Sequence, residues 1–269
     1  MMSEFALRRT WGPVPRYDRV MSYEPPSKDF VAVAGPCSVE SVEHIQEMAG
    51  LVKAAGATHL RGGVYRAGTY PSDNFGLLDE PIRKAYWEAA QDNGLKNIVE
   101  IVDIRLSTIM SKWADCVQVG ARQMQNYPLL GVVGGLQLPV FIKRHPGATL
   151  DEWLGAAEYI LKAGAKEVYL IERGSSTQAS HVRWDLSISM IPAAKAITKI
   201  PVICDASHGT GRRDLVRPMA LAGVAAGADG VLVEVHTDPK KSLSDPDQAI
   251  EPKAFYELMQ TIKKVRSVL

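Results

Sequence analysis

Eight short apolar runs punctuate this chain, at 30–38, 58–65, 96–102, 115–121, 139–143, 167–172, 201–204 and 230–235, and helix-like stretches follow them. In the stretches 42–55, 81–92, 150–163 and 215–226, apolar residues return every three or four positions. A glycine closes each of these, at Gly56, Gly94, Gly164 and Gly227. Strand and helix in strict alternation predict a parallel sheet. Because VAVAG, VYLI, PVIC and GVLVEV are apolar throughout rather than alternating, they suit strands covered on both faces. The expected fold is therefore α/β, a single (β/α)8 TIM barrel. The chain length of 269 residues agrees with the roughly 250 of one closed barrel. The expected division is an N-terminal extension over 1–29 and a catalytic barrel over 30–269. The extension carries Trp11, Tyr17 and Tyr23, which suit a bottom plug, an arm or a subunit contact, and is too short for a regulatory domain.

The formal net charge of +1, with no basic run, argues against nucleic acid or a membrane surface as partner. No apolar stretch approaches the roughly 20 residues of a membrane span, and the N-terminus lacks a signal-peptide core, so a cytoplasmic protein is expected. Three cysteines, Cys37, Cys116 and Cys204, are too few and too widely spaced for a disulfide framework. Cys116 and Cys204 fall in strands and read as core.

Barrels of this kind place their chemistry at the C-terminal ends of the strands. Two groups of polar residues map there. Cys37, His208, Glu234 and Asp245 follow strands one, seven and eight, which closure makes neighbours. Their sulfur, nitrogen and carboxylate donors suit a borderline divalent ion, Mn²⁺, Fe²⁺, Co²⁺ or Zn²⁺, without choosing among them. Arg61, Arg66, Arg122, Lys143 and Arg173 form a cationic group suited to a small ligand bearing phosphate and carboxylate. The alternative for any one of these cations is a structural bridge to Glu100, Asp103 or Glu172. The Gly62–Gly63 pair marks a place where backbone bends or approaches something closely.

At these positions the sequence resembles a known family. AGPCSVES around Cys37, LRGG over 60–63, VGARQMQN around Arg122, IKR over 142–144, IERG around Arg173, DASHGTGRRD around His208 and VEVHTDPKKSLSD over 233–245 are similar to 3-deoxy-7-phosphoheptulonate (DAHP) synthases. The likeness is to the short microbial subgroup related to 3-deoxy-octulosonate 8-phosphate synthases, and it runs from about Val31 to the C-terminus. It implies Cys37, His208, Glu234 and Asp245 as metal ligands. It implies Arg61, Arg122, Lys143 and Arg173 as the grip on phosphoenolpyruvate, with Lys143 also a proton donor and Asp205 beside the acceptor. The implied reaction condenses phosphoenolpyruvate with a sugar-phosphate aldehyde, normally erythrose 4-phosphate, and the implied assembly is a homodimer or homotetramer.

One motif departs from the family. Where such synthases have Lys-Pro-Arg-Thr, this chain has Arg66-Ala67-Gly68-Thr69. Positive charge is kept at Arg66 and the hydroxyl at Thr69, but the arginine that grips the acceptor phosphate is replaced by Gly68. Charge-assisted hydrogen bonds contribute roughly 1.5–3 kcal/mol each, so the loss is severe unless Arg144, Arg212 or Arg213 takes over. Ser175-Ser176-Thr177 likewise stands for Ile-Arg-Thr, and Ala206 for proline. A sister reaction on another aldehyde, arabinose 5-phosphate first, and a non-catalytic ligand-binding barrel are the alternatives.

Overall fold

The computed structural model describes residues 17–66 and 76–269, with only the backbone of Arg66. Thr69, Ala67, Gly68, Trp11 and the Arg66 side chain, all part of the sequence expectations, lie outside what is described.

The eight barrel strands are β1 (Val31–Gly35), β2 (His59–Arg61), β5 (Lys96–Glu100), β6 (Cys116–Val119), β7 (Val140–Lys143), β8 (Val168–Glu172), β9 (Val202–Asp205) and β10 (Gly230–Glu234). They close in the order β1-β10-β9-β8-β7-β6-β5-β2, all pairings being parallel. The expected (β/α)8 barrel is the fold observed. Side-chain alternation divides each strand between two layers. Val31, Val33, Ile98, Cys116, Phe141, Tyr169, Ile171, Ile203 and Leu232 form one buried cluster, whereas Ala32, Ala34, Val117 and Ile142 belong to the larger one shared with the helices. Phe141 stacks on Tyr169 with ring centroids 4.3 Å apart. Cys116 and Cys204 are fully buried, and burial pushes the Cys116 thiol up to about 12, so both are packing residues as expected.

Helices cover the barrel because their apolar faces match the strands. In α6 (Leu150–Lys162) the Thr149 hydroxyl and the Glu152 carboxylate form a reciprocal cap, and Trp153 on its inner face is fully buried. Such a cap contributes about 0.5–2 kcal/mol. Tyr86, on α3 (Glu80–Asp92), donates its hydroxyl to the Leu60 and Ile98 carbonyls at 2.8 and 2.9 Å and so ties β2 to β5. From the extension, Tyr17 donates to the Asp151 carbonyl at 2.8 Å, and the Tyr23 hydroxyl accepts the Val168 N–H at 3.1 Å. These two tyrosines pack on the outer helix α6 and on the start of β8.

Strand ends depart from expectation where the backbone forces it. The first strand stops at Gly35 because Pro36 has no N–H to continue the ladder. Gly35 itself has φ +143°, and a Cβ there would lie 2.2 Å from the Arg61 carbonyl oxygen. The run expected over 58–65 breaks at Gly62–Gly63, where Gly63 exchanges backbone bonds with the segment after β1: its N–H donates to Cys37 O and its carbonyl accepts from Val39, both at 3.0 Å. A Cβ on Gly63 would be 2.8 Å from Cys37 O, so the close approach is to the backbone of the chain itself. Beyond the break, β3 (Tyr65–Arg66) and β4 (Gly76–Leu77) pair antiparallel, a hairpin base the apolar pattern does not show.

Candidate active site

At the top of the barrel the ends of β1, β9 and β10 deliver the expected donors. Cys37 Sγ lies 3.2 Å from Asp245 Oδ2, and donor atoms of Cys37, Glu234 and Asp245 all fall within 4.8 Å of one another. His208 joins this trio through Glu234, with Nε2 3.0 Å from Glu234 Oε1. Asp205, the last residue of β9, caps the short helix α8 (Ala206–Thr210) by accepting the His208 N–H at 3.0 Å. Its carboxylate also lies 2.8 Å from His208 Nδ1. Both ring nitrogens therefore face carboxylates, which fixes the orientation of the imidazole. Asp205 follows the apolar run 201–204 in sequence; it is the last residue of the strand and is fully buried. Asp245 adopts a left-handed φ of 50°, a conformation that short polar side chains tolerate.

The cationic group is interleaved with these donors rather than set apart. Arg61 Nη1 donates to Glu234 Oε1 at 2.6 Å, and Lys143 Nζ lies 3.1 Å from Asp205 Oδ2 and 3.4 Å from His208 Nδ1. The two groups expected as distinct thus share one buried network at Arg61 and Lys143. Arg173 is buried, with its guanidinium 5.1 Å from the Trp184 ring centre and one Nη without a hydrogen-bond partner. Arg122 stands exposed on the 3-10 turn Ala121–Gln123 after β6. The three acids considered as structural partners are engaged elsewhere: Glu172 with Arg144, Asp103 with Arg105 and Glu100 with Gln118.

Charge decides protonation here. Burial alone would raise the Glu234 carboxyl, but His208 and Arg61 outweigh it and hold it well below the usual carboxylate range. For Asp205 burial is likewise overcome, by His208 and Lys143. The Cys37 thiol moves the other way, pushed up by desolvation and then by the Glu234 charge. Burial lowers the Arg173 guanidinium; Asp205 opposes that effect and Arg183 adds to it.

A sulfur and two carboxylates grouped this closely, with imidazole against one of them, fit a borderline divalent ion. Neighbouring lysine and arginines suit an anionic co-substrate. Sequence reasoning missed Gln248, which donates to Glu234 Oε2 at 2.7 Å; Ser207, whose Oγ accepts the Glu234 N–H at 2.9 Å; and Arg183, 3.1 Å from Asp245 Oδ1. None sits at the end of an apolar run, so periodicity carries no signal for them. His236, which follows β10, is buried; its Nδ1 accepts the Asp238 N–H at 3.0 Å, and its Nε2 lies 3.2 Å from Glu40.

Comparison with known proteins places this geometry in context. The sequence profile described as "DAHP synthetase I family" matches residues 26–269. A phospho-2-dehydro-3-deoxyheptonate aldolase of Thermotoga maritima is 38% identical over 240 residues, covering 89% of this chain and 71% of the relative. A 2-dehydro-3-deoxyphosphooctonate aldolase of Desulfotalea psychrophila is 26% identical, over 89% of this chain and 91% of its own. Among solved structures, the phospho-2-dehydro-3-deoxyheptonate aldolase (DAHP synthase) of Thermotoga maritima superposes with a TM-score of 0.86 at 38% identity, covering 90% of this chain and 71% of that one. A truncated form of the 3-deoxy-D-arabino-heptulosonate 7-phosphate synthase of the same organism gives 0.82 at 37% identity, covering 90% and 88%.

Proposed function

This chain belongs to the DAHP synthetase I family, and we propose on that footing that it condenses phosphoenolpyruvate with erythrose 4-phosphate to give 3-deoxy-7-phosphoheptulonate and phosphate. The observation that carries the reading is the convergence of Cys37, Glu234 and Asp245 donor atoms within 4.8 Å, together with buried Lys143 and the incompletely bonded Arg173 on the same rim.

In this reading Cys37, His208, Glu234 and Asp245 hold a divalent ion, Mn²⁺, Fe²⁺, Co²⁺ or Zn²⁺, which when bound supplies Lewis-acid polarisation of the aldehyde. Arg61, Arg122, Lys143 and Arg173, with Arg66, hold the phosphate and carboxylate of phosphoenolpyruvate and orient its C3 toward the aldehyde carbon. As the C–C bond forms, the aldehyde oxygen gains a proton, which Lys143 donates, and positive charge develops at C2. Water adds at C2 and loses a proton, and phosphate leaves by C–O cleavage. Asp205, 3.1 Å from Lys143 Nζ and 2.8 Å from His208 Nδ1, stays ionised and fixes the position of both groups. The enzyme acts in the cytoplasm as a homodimer or homotetramer, for which the exposed Tyr127–Tyr159 pair, ring centres 4.7 Å apart, offers contact area. Among the described residues no helix is long and apolar enough to cross a membrane.

A second reading, another aldehyde, is favoured by Gly68 where the acceptor-gripping arginine is expected. Both are tested by phosphate release from phosphoenolpyruvate, using metal-stripped protein resupplied with Mn²⁺ or Co²⁺ and offered erythrose 4-phosphate, arabinose 5-phosphate or unphosphorylated aldoses. Fast metal-dependent release with erythrose 4-phosphate supports the first reading. Release with another aldehyde alone moves the assignment to the second, and no release with any of them refutes both.

A further inference from the structure

The three cations that sequence reasoning offered as replacements for the missing acceptor arginine are all committed to the protein itself. Arg144 is fully buried against Glu172, Ser175 and the Ala148 carbonyl. Arg212 pairs with Asp214 and donates to the His181 carbonyl. Arg213 donates to the Ala249 and Pro246 carbonyls at 2.6 Å each. Arg144 and Arg212 are bonded through all three guanidinium nitrogens and Arg213 through two of its three, so none keeps two nitrogens for a substrate phosphate.

Arg183 does, and its backbone is held in place. The segment after β8 folds back on itself where Ser175 and Asp185 exchange backbone hydrogen bonds at 2.8 and 3.0 Å. Arg183 N–H donates to the Thr210 carbonyl at 2.9 Å, which docks the segment on α8 beside His208. Two glycines make room for it: a Cβ on Gly211 would lie 2.7 Å from the Arg183 Cβ, and one on Gly174 would lie 2.7 Å from the Trp184 Cβ. The side chain, half exposed, extends over the rim and places Nη1 3.1 Å from Asp245 Oδ1, while Oδ2 of the same carboxylate faces Cys37. Of the five N–H donors of a guanidinium, only that one contacts protein among the described residues. Its charge also reaches Arg173 and adds to the lowering of that guanidinium.

We propose that Arg183 binds the phosphate of the acceptor aldehyde and so replaces the function lost at Gly68. The inference rests on the proposed condensation. With the aldehyde held at the Cys37–Glu234–Asp245 group, Arg183 stands one carboxylate away. That spacing suits a short aldose carrying its phosphate a few carbons from the reacting carbonyl. Arg183 thereby separates phosphorylated from unphosphorylated acceptors, while the donor is held by other residues.

The test compares wild type, Arg183→Ala and Arg183→Lys, each loaded with Mn²⁺. The preference in kcat/KM for erythrose 4-phosphate over erythrose is expected to fall about 10- to 150-fold in Arg183→Ala, the loss of one charge-assisted contact. Lysine is expected to restore part of the preference, and the KM for phosphoenolpyruvate to stay within about twofold. A merely structural role, or one confined to orienting Asp245, predicts instead lower metal content with the preference unchanged, and that result overturns the proposal. A second measurement needs no turnover. Calorimetric titration of inorganic phosphate into the Mn²⁺-loaded protein saturated with phosphoenolpyruvate should show an equivalent that Arg183→Ala lacks, and equal binding by both proteins would also refute the site. Failure of every aldehyde to react alongside an Arg183-dependent phosphate equivalent would sink the condensation and retain the anion site. Turnover of erythrose 4-phosphate with an unaltered preference in Arg183→Ala would do the reverse.

Discussion

Lys143 and Arg144 are consecutive residues at the top of one strand, both buried, yet the networks they enter are opposite in kind. Around Arg144 every strong donor is matched: Nη2 to Glu172 Oε1 at 3.0 Å and Ser175 Oγ at 2.7 Å, Nη1 to Ala148 O at 2.8 Å, with Nε on the other Glu172 oxygen. Glu172 Oε1 also accepts the Gly174 N–H at 2.8 Å. Among the described residues the Lys143 ammonium has only Asp205 and His208 within reach, and around them lie a raised thiol, the depressed Glu234 carboxyl and a guanidinium with an idle Nη. The first network is complete in itself and holds the β7–β8 top together. The second is complete only with partners that carry charge, which is what a site for a cation and an anionic substrate requires.

The largest break in that contrast is Lys143→Met. Phosphate release should fall by about 10²–10⁴-fold, the range for loss of a positioned proton donor, while the urea midpoint moves less than in Arg144→Met because His208 still faces Asp205. Arg144→Met should do the converse. Stranding Glu172 in the interior costs about 3–5 kcal/mol of folding stability, read by urea unfolding, and the surviving folded protein should bind its metal at unchanged stoichiometry. Gln248→Ala sharpens the comparison from a third side, since it removes the donor to Glu234 Oε2 without touching an expected ligand. Metal affinity measured by competition with a chelator should weaken about 10–100-fold.

The smallest effect is that of mild acid. Asp205 and Glu234 have folded values depressed below the ordinary ones of about 3.9 and 4.3. Their stabilising contribution is therefore fully present above those values and is lost as pH falls through the depressed ones. Unfolding free energy attributable to the pair should be flat within about 0.5 kcal/mol from pH 7 to pH 5 and decline below about pH 4. Glu234→Gln should show a shallower decline, and an onset near pH 6 would contradict the assignment.

The backbone layout was legible because strands covered on both faces, such as VAVAG and VYLI, are apolar without interruption, and because Gly56, Gly94, Gly164 and Gly227 all take positive φ at helix ends. Strand ends were less so. Pro36 cut β1 short, and Gly62–Gly63 turned the chain into a hairpin base, because hydrogen-bonding capacity and close approach decide those points rather than hydropathy. For the site, position at a strand end was enough to bring Cys37, His208 and Glu234 forward, whereas Asp205 came forward only through the family resemblance. It did not reveal that Arg61 would reach Glu234, since that depends on the length and direction of a side chain crossing between strands. Arg183 and Gln248 were invisible for a related reason: they are carried by irregular segments whose course is set by tertiary contacts.

Cys37 and Asp245 are separated by 208 residues yet touch, because β10 zips along β1 from Gly230 against Val31 to Glu234 against Gly35. No stretch of chain that stops short of Asp245 can assemble that grip. During synthesis the ion-binding capacity would therefore appear all at once, when β10 completes the ring. An ion that binds only the completed ring favours it over every open intermediate by mass action. With the proposed ion at Cys37, Glu234 and Asp245, those residues would also act as a seam, and the protein stripped of that ion should open first between β1 and β10.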